Sequence, residues 1–493
     1  MLLKKHFNYP LIFWFSTAFI SGFVILSLEM LGFRLLAPHF GYSTYVWGGL
    51  LGSIMATLSL GYFFGGNLAD LKPKGTLALD FILLATGYLI FIALSYKIIL
   101  EMLTGWGIVF GSIMGSIILF GPPMILLGMI PPFLIRLMAN EKTIGSISGK
   151  IFAVSTWGSL LGTFLTSFIL IPEYGSFKTL VGLILILSVL YFTGNFSKWW
   201  RAITGVGIII FTLFLPGEQT DGKIVYQTES AYNLIQVKKI KNLHTLILNG
   251  GIRAHSIYRK GLTSTGSYYD FMLLGPFLTQ SKNLLILGMG AGTSLRQFQI
   301  NFPNLHIDAV EIDPKIVAVG KQFFDWSENS NLNIFIEDAR PFLDQTTKQY
   351  DLIEVDIFKG GPFIPFYLST QEFFSQIKKK LAPKGWMMMN VITGKENRLF
   401  SDSLGKTVNS VFSKLYILDL GGNLLFLAPK YSIHLDELRT ILKTVSNSPL
   451  KILSDHALEH IHEFKTKANS IIFIDDKAPT EKLIYDLVKN EYR

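Results

Sequence analysis

The chain of 493 residues is 50% hydrophobic and only 16% charged, with a formal net charge of +9 at pH 7. This composition excludes a disordered chain, a collagen-like chain and a small disulfide scaffold, and the absence of cysteine excludes disulfides, thiolate catalysis and cysteine-bound zinc. Because soluble globular domains contain about 25% charged residues, a wholly soluble protein is not expected either.

Charge is distributed unevenly along the chain. Residues 1–216 contain 12 Lys and Arg and 6 Asp and Glu, and residues 217–493 contain the remaining 32 basic and 29 acidic residues. The first part therefore has the composition of a membrane domain, and the second part has that of a soluble one. Much of the basic excess lies in loops between apolar segments, where membrane topology accounts for it, so we expect a lipid bilayer and no nucleic acid as partner.

The first part contains about seven apolar segments. They lie near residues 11–36, 43–66, 77–99, 106–135, 149–172, 177–196 and 202–216. Several are long enough to cross about 30 Å of hydrocarbon at 1.5 Å per residue, whereas the last, of about 15 residues, is the weakest. Proline pairs at 122–123 and 131–132 predict a kink in the fourth segment, and the glycine-rich stretches GYFFGG and GSLLGT predict close helix packing.

Basic residues in the first part predict its orientation. They are found at the N-terminus and in alternate loops, at Lys4, Lys5, Lys72, Lys74, Arg136, Lys142, Lys150, Lys198 and Arg201. Because cytoplasmic loops carry the excess of Lys and Arg, we expect the N-terminus and these loops in the cytoplasm. Seven crossings then place the second part outside the cell, whereas a segment 202–216 that lies along the interface leaves it inside. Charge counting leaves both topologies open.

The second part changes pattern at about residue 280. Between residues 217 and 280, the alternating runs KIVYQTES, NLIQVKKI and HTLILNG predict a small antiparallel β domain. From 281 to 493, helical segments separate the apolar runs NLLILG, HIDAVEID, NIFIED, YDLIEVD and WMMMNVI. This alternation predicts an α/β Rossmann-like domain whose mostly parallel sheet has helices on both faces. A closing strand is expected near SIIFID.

A glycine loop follows the first of these apolar strands. Gly288, Gly290 and Gly292 alternate in the sequence GMGAG and lead into a helical pattern, so the backbone can approach a ligand closely there. Glu311 ends the next strand, 23 residues after Gly288. A carboxylate at that spacing accepts hydrogen bonds from ribose hydroxyls in nucleotide-binding sheets. Together these residues predict a nucleotide site.

Two further acids end the following strands. Asp338 follows NIFIE and is placed to bind an adenine edge, and Asp356 follows YDLIEV. Each residue has a structural alternative, because Asp338 is also suited to cap a helix and Asp356 to brace the loop KGGPFIP. Glycines, Glu, Asp and Asp at four successive strand ends together favour an adenosine-type ligand.

Residues 222–430 resemble the spermidine synthases, or polyamine aminopropyltransferases, which join a small β domain to a methyltransferase-type Rossmann domain. The whole chain resembles the membrane-fused relatives of these enzymes. The resemblance is carried by SAYNLIQV, LILNGGIR, SYYDFMLLGP, LLILGMGAG, AVEIDP, IEDARPFL and YDLIEVD followed by LAPKGWMMMNV. It implies a multi-pass α-helical membrane domain followed by a small antiparallel β unit and an α/β Rossmann-like domain.

The resemblance also implies a reaction. The donor is decarboxylated S-adenosylmethionine, whose nucleoside is held by the loop 288–292, Glu311 and Asp338. Asp356 takes up the proton of the attacking amine, no metal is needed, and methylthioadenosine leaves.

The resemblance further implies the substrate contacts and partners. Asn233, Tyr268, Tyr269 and Asp270 are the residues expected to contact the substrate. The expected partners are a small amine acceptor and, because soluble members of the family are commonly dimers or tetramers, a second copy of the chain.

The chain departs from the family at several substrate positions. Ala291 replaces the aspartate that holds the aminopropyl ammonium, Asn233 replaces a glutamine, and Asn249 replaces an aspartate. The second acid after the catalytic aspartate is missing around Lys359, and residues 418–420 lack the tyrosine of the polyamine tunnel. Several carboxylates are expected around a buried diammonium substrate, because an unpaired buried charge is costly.

Three functions therefore remain open. The first is a membrane-bound aminopropyltransferase. The second is a methyltransferase that uses S-adenosylmethionine on a lipid or another membrane-delivered acceptor, which Ala291 suits better. The third is a non-catalytic nucleotide sensor that regulates the helices. Since both donors are made in the cytoplasm, we expect a multi-pass protein of the cell membrane whose soluble part is cytoplasmic.

Overall fold

The computed structural model describes residues 11–41, 43–195, 199–215, 223–251, 254–360, 363–446 and 448–491. Contacts divide the chain into two units. One comprises Met1–Asp221 with Thr228–Tyr232, and the other comprises Gly222–Gln227 with Asn233–Arg493. The small β part and the α/β part both fall in the second unit, so the three-part division at residues 216 and 280 stays a prediction. Lys4, Lys5 and Lys198, on which part of the predicted orientation depends, lie outside the described residues.

The first unit is helical. Its helices are α1 (Leu11–Phe40), α2 (Thr44–Leu71), α3 (Gly75–Thr104), α4 (Ile108–Gly128), α5 (Ile130–Met138), α6 (Ile144–Leu165), a π-helical continuation of α6 (Thr166–Tyr174), α7 (Ser176–Asn195) and α8 (Trp199–Leu213). Within the described residues, 6 spans are long and apolar enough to cross a membrane. The seventh predicted segment corresponds to a shorter apolar helix, Arg201–Leu213.

Prolines and glycines shape this helical unit as the sequence predicts. Helix α4 ends at Gly128 and α5 begins at Ile130, so the fourth span is interrupted between its two proline pairs. A Cβ on Gly65 would lie 2.6 Å from the Cα of Met129, and Gly158 and Gly162 approach the backbone of α1 with no room for a side chain. The glycine-rich stretches therefore allow close helix packing.

The second unit contains a four-stranded sheet. Its strands are β1 (Ile224–Glu229), β2 (Leu234–Ile240), β3 (Leu243–Leu248) and β4 (Ser256–Arg259), in that spatial order. The β2–β3 and β3–β4 pairs are antiparallel. The three predicted strands are confirmed, and β4 was not predicted because four residues carry too little alternation to be recognised.

A larger α/β layer follows. Its elements are α9 (Tyr268–Met272), α10 (Leu274–Thr279), β5 (Asn283–Leu287), α11 (Thr293–Asn301), β6 (His306–Glu311), α12 (Pro314–Phe323), β7 (Leu332–Ile336), α13 (Ala339–Gln345), β8 (Tyr350–Val355), a 3-10 turn (Phe366–Leu368), α14 (Gln371–Lys380), β9 (Leu381–Ile392), α15 (Leu399–Val411), β10 (Tyr416–Asp419), β11 (Asn423–Pro429), α16 (Leu435–Lys443), α17 (Ser448–His460), β12 (Ile461–Glu463) and α18 (Thr480–Glu491).

The larger sheet is mixed, with strand order β12-β10-β11-β9-β8-β5-β6-β7. Strands β9, β8, β5, β6 and β7 are parallel, and β11, β10 and β12 extend the β9 edge in antiparallel pairs. Leu284 and Ile286 of β5 pack in one core cluster, and Leu285 and Leu287 pack in another. The sheet is therefore covered on both faces, which explains the continuous apolar runs in its parallel strands.

The prediction of a strand near SIIFID is wrong. Only an isolated bridge between Ile474 and Lys477 forms there, and the edge strand is β12. The backbone N–H of Phe473 donates to the Thr407 hydroxyl at 2.9 Å, and its carbonyl accepts from the Gln371 N–H at 2.8 Å. Because helical side chains and a helix terminus satisfy this backbone, the apolar segment packs on helices without joining a sheet.

Candidate active site at the carboxyl ends of the parallel strands

The four predicted strand ends meet at one edge of the larger sheet. Strands β8, β5, β6 and β7 are spatial neighbours, and their carboxyl ends carry Asp356, the glycine loop, Glu311 and Asp338 in that order. The Asp356 N–H donates to the Leu287 carbonyl at 3.0 Å, which joins the end of β8 to that of β5. Open α/β sheets bind ligands at this edge.

The glycine loop requires residues without side chains. Gly288 has φ +84° and Gly292 has φ +89°, in the left-handed region that favours glycine. A Cβ on Gly288 would lie 2.5 Å from the Asp356 carbonyl oxygen, and one on Gly292 would lie 2.6 Å from the Trp326 ring. The loop therefore packs directly against the end of β8.

Glu311 is bound to the glycine loop. Its Oε2 accepts a hydrogen bond from the Gly290 N–H at 2.9 Å, and its Oε1 accepts from the Asp313 N–H at 3.1 Å. Burial raises the pKa of Glu311 to about 7, although the N–H groups of Asp313 and Gly290 favour the charged form. A carboxylate has about four lone-pair sites, so acceptor capacity remains for a ribose hydroxyl.

Asp338 caps a helix. Its Oδ1 accepts from the Arg340 N–H at 2.9 Å at the start of α13, and its Oδ2 accepts from the Tyr367 hydroxyl at 2.5 Å. The structural alternative offered by the sequence is therefore present. Adenine binding by Asp338 stays a prediction, and this carboxylate already has a partner on each oxygen.

Both oxygens of Asp356 are held in place. The Tyr268 hydroxyl donates to Oδ2 at 2.7 Å, and the Asn390 side-chain amide donates to Oδ1 at 2.9 Å. Burial raises the pKa of Asp356 to about 6, and these two hydrogen bonds oppose the rise by favouring the charged form. Asp356 is therefore mostly ionised at neutral pH and is oriented by β9 and α9.

Two tyrosines stack beside Asp356. The rings of Tyr268 and Tyr269 have centroids 4.1 Å apart, and the Tyr269 hydroxyl donates to the His255 carbonyl at 2.8 Å. Burial, followed by the Asp356 carboxylate, raises the pKa of both phenols well above the ordinary value. Both phenols therefore remain hydrogen-bond donors at neutral pH, and substrate contact by Tyr268 and Tyr269 stays a prediction.

Asn233, one of the predicted substrate residues, forms side-chain hydrogen bonds inside the protein. Its amide nitrogen donates to Asp313 Oδ2 at 3.0 Å, and its amide oxygen accepts from the Asn249 side chain at 2.8 Å. This network fixes the small sheet to the loop after β6. Substrate contact by Asn233 stays a prediction.

Asp270, the other buried polar residue assigned to substrate, organises the preceding loop. Its oxygens accept from the Thr265 N–H, from the Gly266 N–H and from the Ser264 hydroxyl. The Gln297 side-chain amide also donates to it, at 2.5 Å. Because these donors occupy the carboxylate, the observed conformation gives Asp270 a structural task, and substrate contact by Asp270 stays a prediction.

Sequence reasoning missed three residues that support the site and one buried acid. Asn390 orients Asp356, the Ser256 hydroxyl accepts from the Ala291 N–H at 2.9 Å, and Tyr367 binds Asp338. Glu354, which is 1% exposed, lies in β8 two residues before Asp356. Asn390 and Glu354 could have been found from the sequence, because each is the single polar residue in an otherwise apolar stretch of strand.

The assembled edge presents groups that suit a nucleoside and the acceptance of a proton. Glu311 offers a carboxylate to a ribose beside a loop without side chains at Gly290 and Gly292, and Asp356 offers an oriented carboxylate next to them. No group of three or more His, Asp or Glu side chains suited to a metal ion occurs among the residues that the structure describes.

Known proteins that are similar to this chain include polyamine aminopropyltransferases. Residues 271–418 match the family described as the spermine/spermidine synthase domain. A probable polyamine aminopropyl transferase of Bifidobacterium longum (strain NCC 2705) is 36% identical over 192 residues, which are 38% of this chain and 42% of the relative. A polyamine aminopropyltransferase of Vibrio vulnificus (strain CMCP6) is 27% identical over 217 residues, which are 42% of this chain and 71% of the relative.

A methyltransferase is also similar. The human eEF1A lysine and N-terminal methyltransferase is 27% identical over 150 residues, which are 28% of this chain and 21% of the relative. The chain spans less than half the length of the Bifidobacterium relative. Part of the chain thus matches the spermine/spermidine synthase domain and is similar to polyamine aminopropyltransferases, so the resemblance predicted from the sequence is confirmed.

Proposed function

We propose that this protein is a membrane-bound transferase that moves an aminopropyl group from decarboxylated S-adenosylmethionine to an amine acceptor. One observation carries the proposal. The glycine loop bound by Glu311 lies directly against the end of β8, where Tyr268 and Asn390 orient Asp356. A nucleoside site thus adjoins a carboxylate suited to accept a proton.

The residues at this edge support a simple displacement. A free amine with a pKa near 10.4 is mostly protonated at neutral pH and is then not nucleophilic. The Asp356 carboxylate accepts a proton from the amine, the amine nitrogen forms a bond to the carbon next to the sulfonium, and the carbon–sulfur bond breaks. Its electron pair stays on sulfur, so neutral methylthioadenosine leaves. The hydrogen bonds from Tyr268 and Asn390 hold the base in line for this attack.

The helical unit supports a location in the cell membrane. Among the described residues 6 spans are long and apolar enough to cross, which is an even number, and α8, with 15 residues, is only about 22 Å long. If α8 lies along the interface, the N-terminus and the second unit are on the same side. This topology places the basic loops in the cytoplasm, where they are expected, and the second unit in the compartment where the donor is made. We therefore assign the second unit to the cytoplasm.

Methyl transfer from S-adenosylmethionine is the second candidate. The glycine loop has Ala291 where an acid would bind an aminopropyl ammonium, and the similarity to the human methyltransferase covers part of the same domain. The acceptor would then be a lipid or another molecule delivered through the membrane. The two reactions leave different nucleoside products.

A product assay tests the proposal. Purified full-length protein in detergent is incubated with each labelled sulfonium donor and a panel of amines and lipids. Methylthioadenosine formed only with decarboxylated donor and an amine is the expected result. S-adenosylhomocysteine would establish methyl transfer in its place, and nucleoside binding without either product would overturn the proposal in favour of a sensor.

A further inference from the structure

Glu354 is a buried acid near the candidate active site and has no role in the reaction described above. Glu354 is in the middle of β8, between the fully buried residues Ile353 and Val355. Within the part of the chain that the structure describes, neither of its side-chain oxygens has a hydrogen-bond partner, and neither is accessible to solvent. Buried polar groups in proteins are normally paired, because leaving a carboxylate unpaired costs several kcal/mol.

The position of Glu354 relates it to the reacting groups. Side chains two residues apart on a strand share a face, so Glu354 lies on the same face as Asp356, roughly 6.6 Å along β8. The Asp356 charge raises the pKa of Glu354, the Ser294 hydroxyl is close enough to lower it by favouring the charged form, and the Glu354 charge raises the pKa of Tyr269. Ser294 is in the first turn of α11, directly after the glycine loop. The acid is thus enclosed by the elements that form the site.

The glycine loop itself contains no acid. Its sequence is Gly288-Met289-Gly290-Ala291-Gly292, and Glu311 is already bound to its backbone. The aminopropyl arm of decarboxylated S-adenosylmethionine ends in an ammonium group. The corresponding arm of S-adenosylmethionine carries a carboxylate in addition to its ammonium, so a nearby unpaired carboxylate attracts the first arm and repels part of the second.

We propose that Glu354 binds the ammonium of the aminopropyl arm and thereby selects decarboxylated S-adenosylmethionine over S-adenosylmethionine. This inference rests on the proposed function and specifies its donor. The side chain of Glu has three rotatable bonds, so its carboxylate can turn from the strand interior toward an arm that enters beside Asp356. An ammonium placed there provides the partner that both oxygens of Glu354 lack.

The protonation state of Glu354 supports this role. Burial raises the pKa of Glu354 to about 8, with a further rise from the Asp356 carboxylate that the Ser294 hydroxyl opposes. The free protein therefore holds a proton on Glu354 at pH 7, and an arriving ammonium lowers this pKa and releases the proton. Donor binding is thus coupled to proton release.

Calorimetric titration of the full-length protein tests the inference. The ligands are methylthioadenosine, which lacks the arm, decarboxylated S-adenosylmethionine and S-adenosylmethionine, and the proteins are wild type, Glu354→Gln and the control Glu337→Gln. Glu354→Gln should lower affinity for the decarboxylated donor about 10- to 100-fold and leave methylthioadenosine affinity unchanged. Glu337, whose carboxylate accepts from Gln345, follows β7, which lies three positions from β8 in the sheet, so Glu337→Gln should bind all ligands as wild type does.

The outcomes separate the two proposals. Wild-type protein that binds none of the three nucleosides would overturn the proposed function. Methylthioadenosine binding with equal affinity of wild type and Glu354→Gln for the decarboxylated donor would overturn only the role of Glu354. If the variant does not fold, titration of wild type in buffers of different ionisation enthalpy decides the question. Greater proton release with the decarboxylated donor than with methylthioadenosine is expected, because both ligands contact Glu311 and only the first reaches Glu354, and equal release with both would contradict the inference.

Discussion

The backbone N–H of Gly290 donates a 2.9 Å hydrogen bond to Oε2 of Glu311. This bond joins the loop after β5 to the end of β6, the two elements that the sequence assigns to a nucleoside. The bond also holds the Glu311 carboxylate, the acid predicted to bind the ribose, in one position. Several expected outcomes depend on this arrangement and on its neighbour Asp356.

Loss of the Glu311 charge should weaken nucleoside binding. Glu311→Gln removes a charged acceptor and places an amide against N–H groups, so methylthioadenosine affinity should fall about 10- to 100-fold. Titration calorimetry measures the change. The matched variant Glu337→Gln on the next strand end should bind normally, and an equal loss in both variants would show that the effect is not specific to Glu311.

Asp356→Asn should abolish turnover. The amide cannot take up the amine proton, so kcat should fall at least 100-fold, whereas methylthioadenosine affinity should change less than about threefold. Asp344→Asn, at a carboxylate that accepts from the Gln376 side chain on the surface, serves as a control with wild-type activity. Full activity of Asp356→Asn would remove this residue from the proton transfer.

The rate should depend on pH through Asp356. Its pKa is about 6, and the base acts when ionised, so kcat at saturating donor should decrease as pH falls through 6. Below that pH the rate should drop about tenfold per pH unit. A profile of initial rates from pH 5 to 8 measures this, and a rate that stays constant down to pH 5 would contradict the assignment of the base.

Stability should decrease with rising pH because of Glu354. Its pKa is about 8 in the folded chain against 4.5 ordinarily, so between these values the folded state holds more protons than the unfolded state. Stability therefore falls as pH rises through this window, by on the order of 3–5 kcal/mol in total. Glu354→Gln cannot titrate, so its thermal midpoint should vary less between pH 6.5 and 8.5 than that of wild type. If the thermal midpoints of wild type and Glu354→Gln changed equally with pH, this result would contradict the burial of the Glu354 carboxyl group.

Gly288 should tolerate no side chain. Gly288→Ala combines a positive φ with a Cβ 2.5 Å from the Asp356 carbonyl oxygen, so both stability and nucleoside binding should suffer. Gly421 has φ +86° but open space around its Cβ. Gly421→Ala therefore isolates the strain of the backbone, about 1–2 kcal/mol, and should leave nucleoside affinity unchanged. Equal effects of the two variants would exclude the packing of this loop on β8.

The location of the second unit can be tested with reporters. We expect a reporter fused after Arg493 and one inserted at Lys74 to be active in the cytoplasm, and one inserted at Trp106, after an odd number of spans, to be active outside. A reporter at Arg493 that is active only outside the cell would contradict the assigned topology and the supply of donor from the cytoplasm.

The sequence predicts the strand ends well because their signals are local. The glycine loop, Glu311 and Asp356 follow apolar strands at fixed spacing, and the parallel topology then brings them together. Asn390 comes from a strand that is next to β8 in space but distant in sequence, so spacing alone could not relate it to Asp356.

Other elements are decided by tertiary contacts that periodicity does not report. The apolar stretch SIIFID forms no strand because side chains of α15 and the start of α14 satisfy its backbone. The resemblance assigns Asp270 to the substrate, which stays a prediction, and it does not report that Ser264, Thr265 and Gly266 donate hydrogen bonds to this carboxylate. Such local turns are not visible in residue spacing.

The central claim is that one edge of the larger sheet binds an adenosyl group, and thermal denaturation of the purified full-length protein with added nucleosides tests it most directly. Methylthioadenosine and decarboxylated S-adenosylmethionine should each raise the thermal midpoint of wild type, and Glu311→Gln should reduce both shifts. A wild-type midpoint that neither these nucleosides nor S-adenosylmethionine changes at millimolar concentration would contradict the account.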